Sequence, residues 1–169
     1  MNKIIAMVQI AAALTFVASC GTSAELKVAR DTTYKAPPAT LFAAAKEVSE
    51  ASYKTASSDE NALRLQTEPL WYTPEGQLDT TTGNNIARLQ EDSINLALVV
   101  AFNKADADTF KLDVSPIVFR KHGLSSKPDP VEPSDPSLPG WVGGKAAALQ
   151  LKIHDRLTSY ATATVPPPK

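Results

Sequence analysis

"SINLALVVAFNKADADTFKLDVSPIVFR", residues 93–120, decides the fold. Ile94, Leu96, Leu98, Val100 and Phe102 alternate with Asn95, Ala97 and Ala101, and Phe110, Leu112 and Val114 alternate with Lys111, Asp113 and Ser115. Successive side chains of a strand point to opposite faces, so this period of two marks strands with one face turned to a core. The polar connection "NKADAD" is short enough for a hairpin loop, and the two runs predict a pair of long antiparallel strands. Pro116 has no N–H to give to a ladder. The second strand is therefore expected to be an edge there, or to bulge before resuming at Ile117–Phe119.

Upstream, "YKTASSDENALRLQTE" (53–68) reads as strand, turn and strand. Ser57, Ser58, Asp59, Glu60 and Asn61 supply the turn chemistry, and Leu63, Leu65 and Thr67 alternate with Arg64, Gln66 and Glu68. Before it, "KAPPATLFAAAKEVSEAS" (35–52) places Pro38 at a helix start and repeats Leu41, Ala45 and Val48 at helical spacing, with Lys46, Glu47 and Glu50 opposite. Val28–Tyr34 has the β character of a first strand. A last helix is expected from Gly143 or Gly144 to Thr162, since Ala146, Leu149, Ile153, Leu157 and Tyr160 form one stripe. Long loops fill 69–92 and 120–142, the second rich in proline, and the "TVPPPK" tail within 163–169 reads as disordered. The expectation is one α+β domain over 28–162, in the order β-α-β-β-β-β-α. It is an antiparallel sheet of about four to five strands with two helices packed on one face.

The N-terminus speaks of location. Lys3 is a positive flank, Ile4–Phe16 is an apolar run broken only by Gln9, and Ala18 and Ser19 are small residues where a peptidase needs them. Residues 1–19 are read as a signal peptide, because a spanning helix needs about 20 apolar residues and this run stops short. The segment Val17-Ala18-Ser19-Cys20 resembles the lipobox of bacterial lipoproteins. That resemblance implies that Cys20 becomes the first mature residue and carries lipid, with residues 20–27 as a tether. Several acyl chains hold a protein stably where one holds it only marginally. Gly21 in place of an Asp favours the outer membrane over the inner, with the domain facing the periplasm.

Cys20 is the only cysteine, so the domain has no disulfide and must rest on its core; about 150 mature residues suffice for that. The chain is 43% hydrophobic and 21% charged, with a net charge of −1. No basic surplus exists to displace counterions from phosphates, which argues against a nucleic-acid partner. Residues 34–68 resemble the helix-grip-like domains of the lipoprotein component C of the outer-membrane β-barrel assembly machinery. The strand into a proline-started helix, followed by a Tyr-led hairpin, carries that likeness, with Asn61-Ala62 where the pattern has glycine. It covers about one fifth of the chain and implies a fold, not a set of binding residues.

Residues able to do chemistry are few. His154 and Asp155 are neighbours, but neighbouring helical positions point about 100° apart, and no further His or Cys is spaced to complete a ligand set. Asp106 and Asp108 lack the closing Glu and other oxygens of a calcium loop. Ser57, Ser58, Ser125 and Ser126 have no nucleophile-elbow context, and no glycine-rich phosphate cradle follows a strand. The expectation is a protein without catalytic residues, cofactor or metal. Trp71, Tyr72 and Trp141 stand out because they lie in the two long loops. Two readings compete: aromatic anchors for a partner, or lids folded back over an uncovered sheet face. Arg64, Arg88 and Arg120 read as solubilising charges. Two functions survive: a non-catalytic envelope lipoprotein acting as an accessory or scaffold through protein contacts, and a carrier gripping a small ligand or lipid in a cavity.

Overall fold

The computed structural model describes residues 23–80, 85–123 and 127–162. Along these the elements run α1 (Ser23–Asp31), β1 (Thr33–Tyr34), α2 (Pro38–Glu50), β2 (Thr55–Asp59), β3 (Arg64–Thr67), β4 (Leu70–Tyr72), β5 (Ile94–Lys104), β6 (Phe110–Arg120), β7 (Asp129–Val131) and α3 (Gly140–Leu157). Single 3-10 turns add Ile86–Arg88 and Thr158–Tyr160. The long hairpin forms as expected, in unbroken register from Ile94 opposite Arg120 to Lys104 opposite Phe110. Around it the antiparallel sheet runs β1-β6-β5-β3-β2, with β4 continuing the β3 side of β5 and β7 lying along the end of β6.

One face of this sheet carries the core. Ile94, Leu96, Leu98, Val100, Phe102, Leu112, Val114 and Val118 form a single buried cluster with Leu41, Phe42 and Ala45 of α2 and with Val142, Ala146, Leu149, Ile153 and Leu157 of α3. Both expected helical stripes therefore face this core, Val48 of α2 and Tyr160 of the 3-10 turn after α3 being partly buried against it. Burying each such aliphatic side chain contributes about 1.5–3 kcal/mol. Gln150 is buried among them, and its amide donates to the carbonyls of Ala29 and Leu112, each at 3.2 Å, tying α1, α3 and β6 together.

Three differences from the sequence reading have physical causes. Val28–Tyr34 is not one strand: residues 23–31 are helical, and only Thr33 and Tyr34 pair with β6. The segment "SAELKVARD" is rich in helix formers, has Glu25 in its first turn and Arg30 in its last, and joins Lys27 to Asp31 across one turn. Val28, which gave the impression of a strand, is half exposed. Residues 23–27 are accordingly the first turns of α1 rather than tether. Secondly, the two long loops hold short strands, β4 and β7, each recruited by a long neighbour that presents an unpaired edge. The described residues thus make seven strands and three helices, in place of four to five and two. Thirdly, α3 starts at Gly140, ahead of the expected Gly143 or Gly144, because burial of Val142 and packing of Trp141 outweigh the poor propensity of three glycines. The signal peptide, Cys20 and the 163–169 tail lie outside the described residues.

Pro116 sits in mid-strand opposite Leu98 without a bulge. The Leu98 N–H points away from β6, towards β3, and donates to the Thr67 hydroxyl at 2.9 Å. Leu98 and Pro116 are therefore a non-hydrogen-bonded pair, and the position where Pro116 lacks an N–H faces the opposite side of β6. That side is open there, since β1 reaches only residues 110 and 111 and β7 only 118–120. The edge expected from Pro116 exists locally. Thr67 fills the matching interruption between β3 and β4. Replacing Thr67 by Val is expected to orphan a buried N–H and lower unfolding free energy by about 1–3 kcal/mol, while Thr67→Ser keeps most of it; chemical denaturation measures both.

Candidate functional site

Trp71 and Tyr72 are adjacent on β4, so their side chains leave on opposite faces. Tyr72 turns into the core and lies 5.3 Å, centroid to centroid, from Trp141, which comes from the first turn of α3. The Trp141 indole donates Nε1–H to the carbonyl of Pro74 at 2.8 Å and rests against Gly76, where a Cβ would stand 2.9 Å from its ring. Lys145 lies one turn along α3 and places its Nζ 4.5 Å above the Tyr72 ring and 5.9 Å from that of Trp141. Tyr72, Pro74, Gly76, Trp141 and Lys145 form a clasp between α3 and the turn after β4. Trp141 thus folds back on the core side, not over the face left uncovered by helices. Burial holds the Tyr72 hydroxyl above its ordinary pKa, and Tyr53 adds to this.

Trp71 lies on that uncovered face. Its cross-strand row runs Trp71, Asn95, Phe119 and Pro130 over β4, β5, β6 and β7, and the next row pairs Ala97 with Ile117. Trp71, Ile117 and Phe119 are half-buried, so an apolar strip crosses the sheet opposite α2 and α3. Of the three aromatic candidates, only Trp71 belongs to it. Sequence reasoning missed Ile117 and Phe119 as its companions, because their side became clear only once the register through Pro116 was fixed.

The remaining candidates separate. His154 is half-buried and its Nδ1 lies 2.8 Å from the hydroxyl of the fully buried Tyr34, whose pKa is raised by burial and then by the charge of Asp155. Asp108 faces Lys35 across 3.9 Å. Ser57 and Ser58 line the exposed edge strand β2, and Ser125 and Ser126 lie outside the described residues. Arg120 is not merely a surface charge: it donates to the Ser137 hydroxyl and carbonyl at 3.1 and 3.0 Å, pinning the proline-rich segment. Asp135, which accepts from Ser137, is held below the usual carboxylate range by that bond. One grouping had no sequence signal: Glu91, Asp92 and His122 meet at the far end of the β5–β6 hairpin, with donor atoms all within 4.8 Å of one another.

Grooves of about 450 and 500 Å³ occur between α2 and the end of α3, and beside the Lys35–Pro38 segment. Both open to solvent and are lined mainly by Ala, Pro and charged side chains, with Tyr160 in the first and Phe110 in the second. No helix among the described residues is long and apolar enough to cross a membrane. No protein-family model matches the chain, and no curated protein is similar to it.

Proposed function

We propose that the protein is a non-catalytic lipoprotein of the bacterial envelope, held by acylated Cys20 on the periplasmic side of the outer membrane. There it acts as an accessory or scaffold through protein contacts in outer-membrane assembly or maintenance. The observation that carries this reading is the segment Val17-Ala18-Ser19-Cys20 at the end of a charged and apolar leader. The apolar strip of Trp71, Ile117 and Phe119 supports a contact role, since half-buried large apolar side chains on the sheet face away from α2 and α3 are what partner surfaces use. The clasp of Tyr72 and Trp141 contributes to that surface only by fixing β4. The carrier reading needs an apolar cavity between helices and sheet, whereas the buried side chains there form one cluster among the described residues.

Cys20→Ser tests the anchor. In a bacterial host the parent chain is expected in the membrane fraction with a diacylated or triacylated Cys20 at its mature N-terminus by mass spectrometry. The variant is expected in the soluble periplasm. Retention of the variant with membranes, or an unmodified mature N-terminus at another residue, rejects the reading. The contact role is tested by crosslinking in cells, where Trp71→Asp should remove a partner band that the parent chain yields.

A further inference from the structure

We infer that Glu91, Asp92 and His122 form a binding site for a divalent transition-metal ion. The donor set is mixed, one imidazole nitrogen and two carboxylates, which suits ions such as Zn²⁺ better than the all-oxygen shells favoured by Ca²⁺. His122 Nδ1 lies 3.6 Å from Asp92 Oδ1 and 3.9 Å from Glu91 Oε1. Donors about 2.1 Å from a common ion stand roughly 3.0–3.5 Å apart, so each carboxylate needs to close on the imidazole by only a few tenths of an ångström. All three side chains are exposed, leaving room for water in the remaining positions.

The backbone brings the ligands together before any ion arrives. Asp92 N–H donates to the Lys121 carbonyl at 3.1 Å and Lys121 N–H to the Ser93 carbonyl at 2.9 Å, extending the β5–β6 ladder to the two segments that carry the ligands. The Gly123 N–H donates to Glu91 Oε1 at 2.6 Å, orienting one carboxylate from outside the triad. Among the described residues no Lys or Arg forms an ion pair with Glu91 or Asp92, whereas His122 approaches both. The set carries no sequence signal, because 30 residues separate Asp92 from His122, a spacing without a motif.

The test is calorimetric titration of the full chain with ZnCl₂, repeated on His122→Ala, Glu91→Gln and His154→Ala. One Zn²⁺ per chain is expected. His122→Ala and Glu91→Gln should each weaken binding by at least about tenfold, as loss of a ligand does. His154→Ala, whose imidazole is bonded to Tyr34, should leave it unchanged. Circular dichroism confirms that each variant is folded, which these exposed positions predict. No Zn²⁺ binding at millimolar concentration, or binding unaffected by His122→Ala, overturns the site. Ca²⁺ binding as tight as Zn²⁺ and indifferent to His122→Ala also overturns it, because the histidine would then have no part.

Discussion

Raising the pH from 10 to 12 is expected to lower the unfolding free energy by about 2 kcal/mol through Tyr34 alone. Its side chain is 0% exposed, and burial followed by the nearby Asp155 charge raises its pKa well above the ordinary 10. In the unfolded chain the phenol ionises near pH 10, whereas in the folded chain it stays protonated. The folded state then binds more protons, so stability is intact below pH 10 and falls by up to about 1.4 kcal/mol per pH unit above it. Tyr72 and Tyr53, both raised chiefly by burial, act in the same direction. Urea unfolding followed from pH 8 to 12 measures the slope. Tyr34→Phe should make it shallower, at the cost of the hydrogen bond to His154; an identical slope in that variant refutes the assignment.

Gly76→Val should be the most damaging single change in the β4 turn, by about 3–4 kcal/mol. Gly76 has φ +88°, a conformation that costs a β-branched residue about 1–3 kcal/mol. Its Cβ would also overlap the Trp141 ring at 2.9 Å, and overpacking of this kind costs typically 1–3 kcal/mol more. Indole and turn cannot both stay in place, because Trp141 is bonded to Pro74 and packed at a tilt against Tyr72. In a Trp71→Phe background, fluorescence then reports Trp141 alone and should shift to the red as the ring becomes wetter. A double-mutant cycle separates the two causes. With Trp141→Leu in place the overlap is relieved, and the residual cost of Gly76→Val should fall to the backbone part. Full additivity would show that the ring and the glycine do not constrain one another.

What was legible in the chain divides by length of pattern. The β5–β6 pair, α2 and the α3 stripe follow from periodicities sustained over ten or more residues, and each buries the side chains that the pattern marks. Strands of two or three residues have no period to read. β1, β4 and β7 exist because the long hairpin offers them unpaired backbone, which is a tertiary cause. Helix α1 was misread for a related reason: Val28 weighed as β-branched in sequence, while Ala29 beneath α3 decides the packing. The aromatic residues were rightly singled out, yet their division between Trp71 on one face and Tyr72 with Trp141 on the other depended on β4 being a strand. Glu91, Asp92 and His122 were beyond reach of spacing rules, since the hairpin register alone brings them together.

Helix α1 begins only three residues after Cys20. With Cys20 acylated as proposed, three steps of about 3.8 Å would place the start of α1 no more than about 11 Å from the lipid-bearing residue, even with the chain drawn straight. Under the proposed anchoring, a domain moored on so short a lead would meet clients that themselves travel along the leaflet, such as an integral barrel or another bilayer-bound polypeptide.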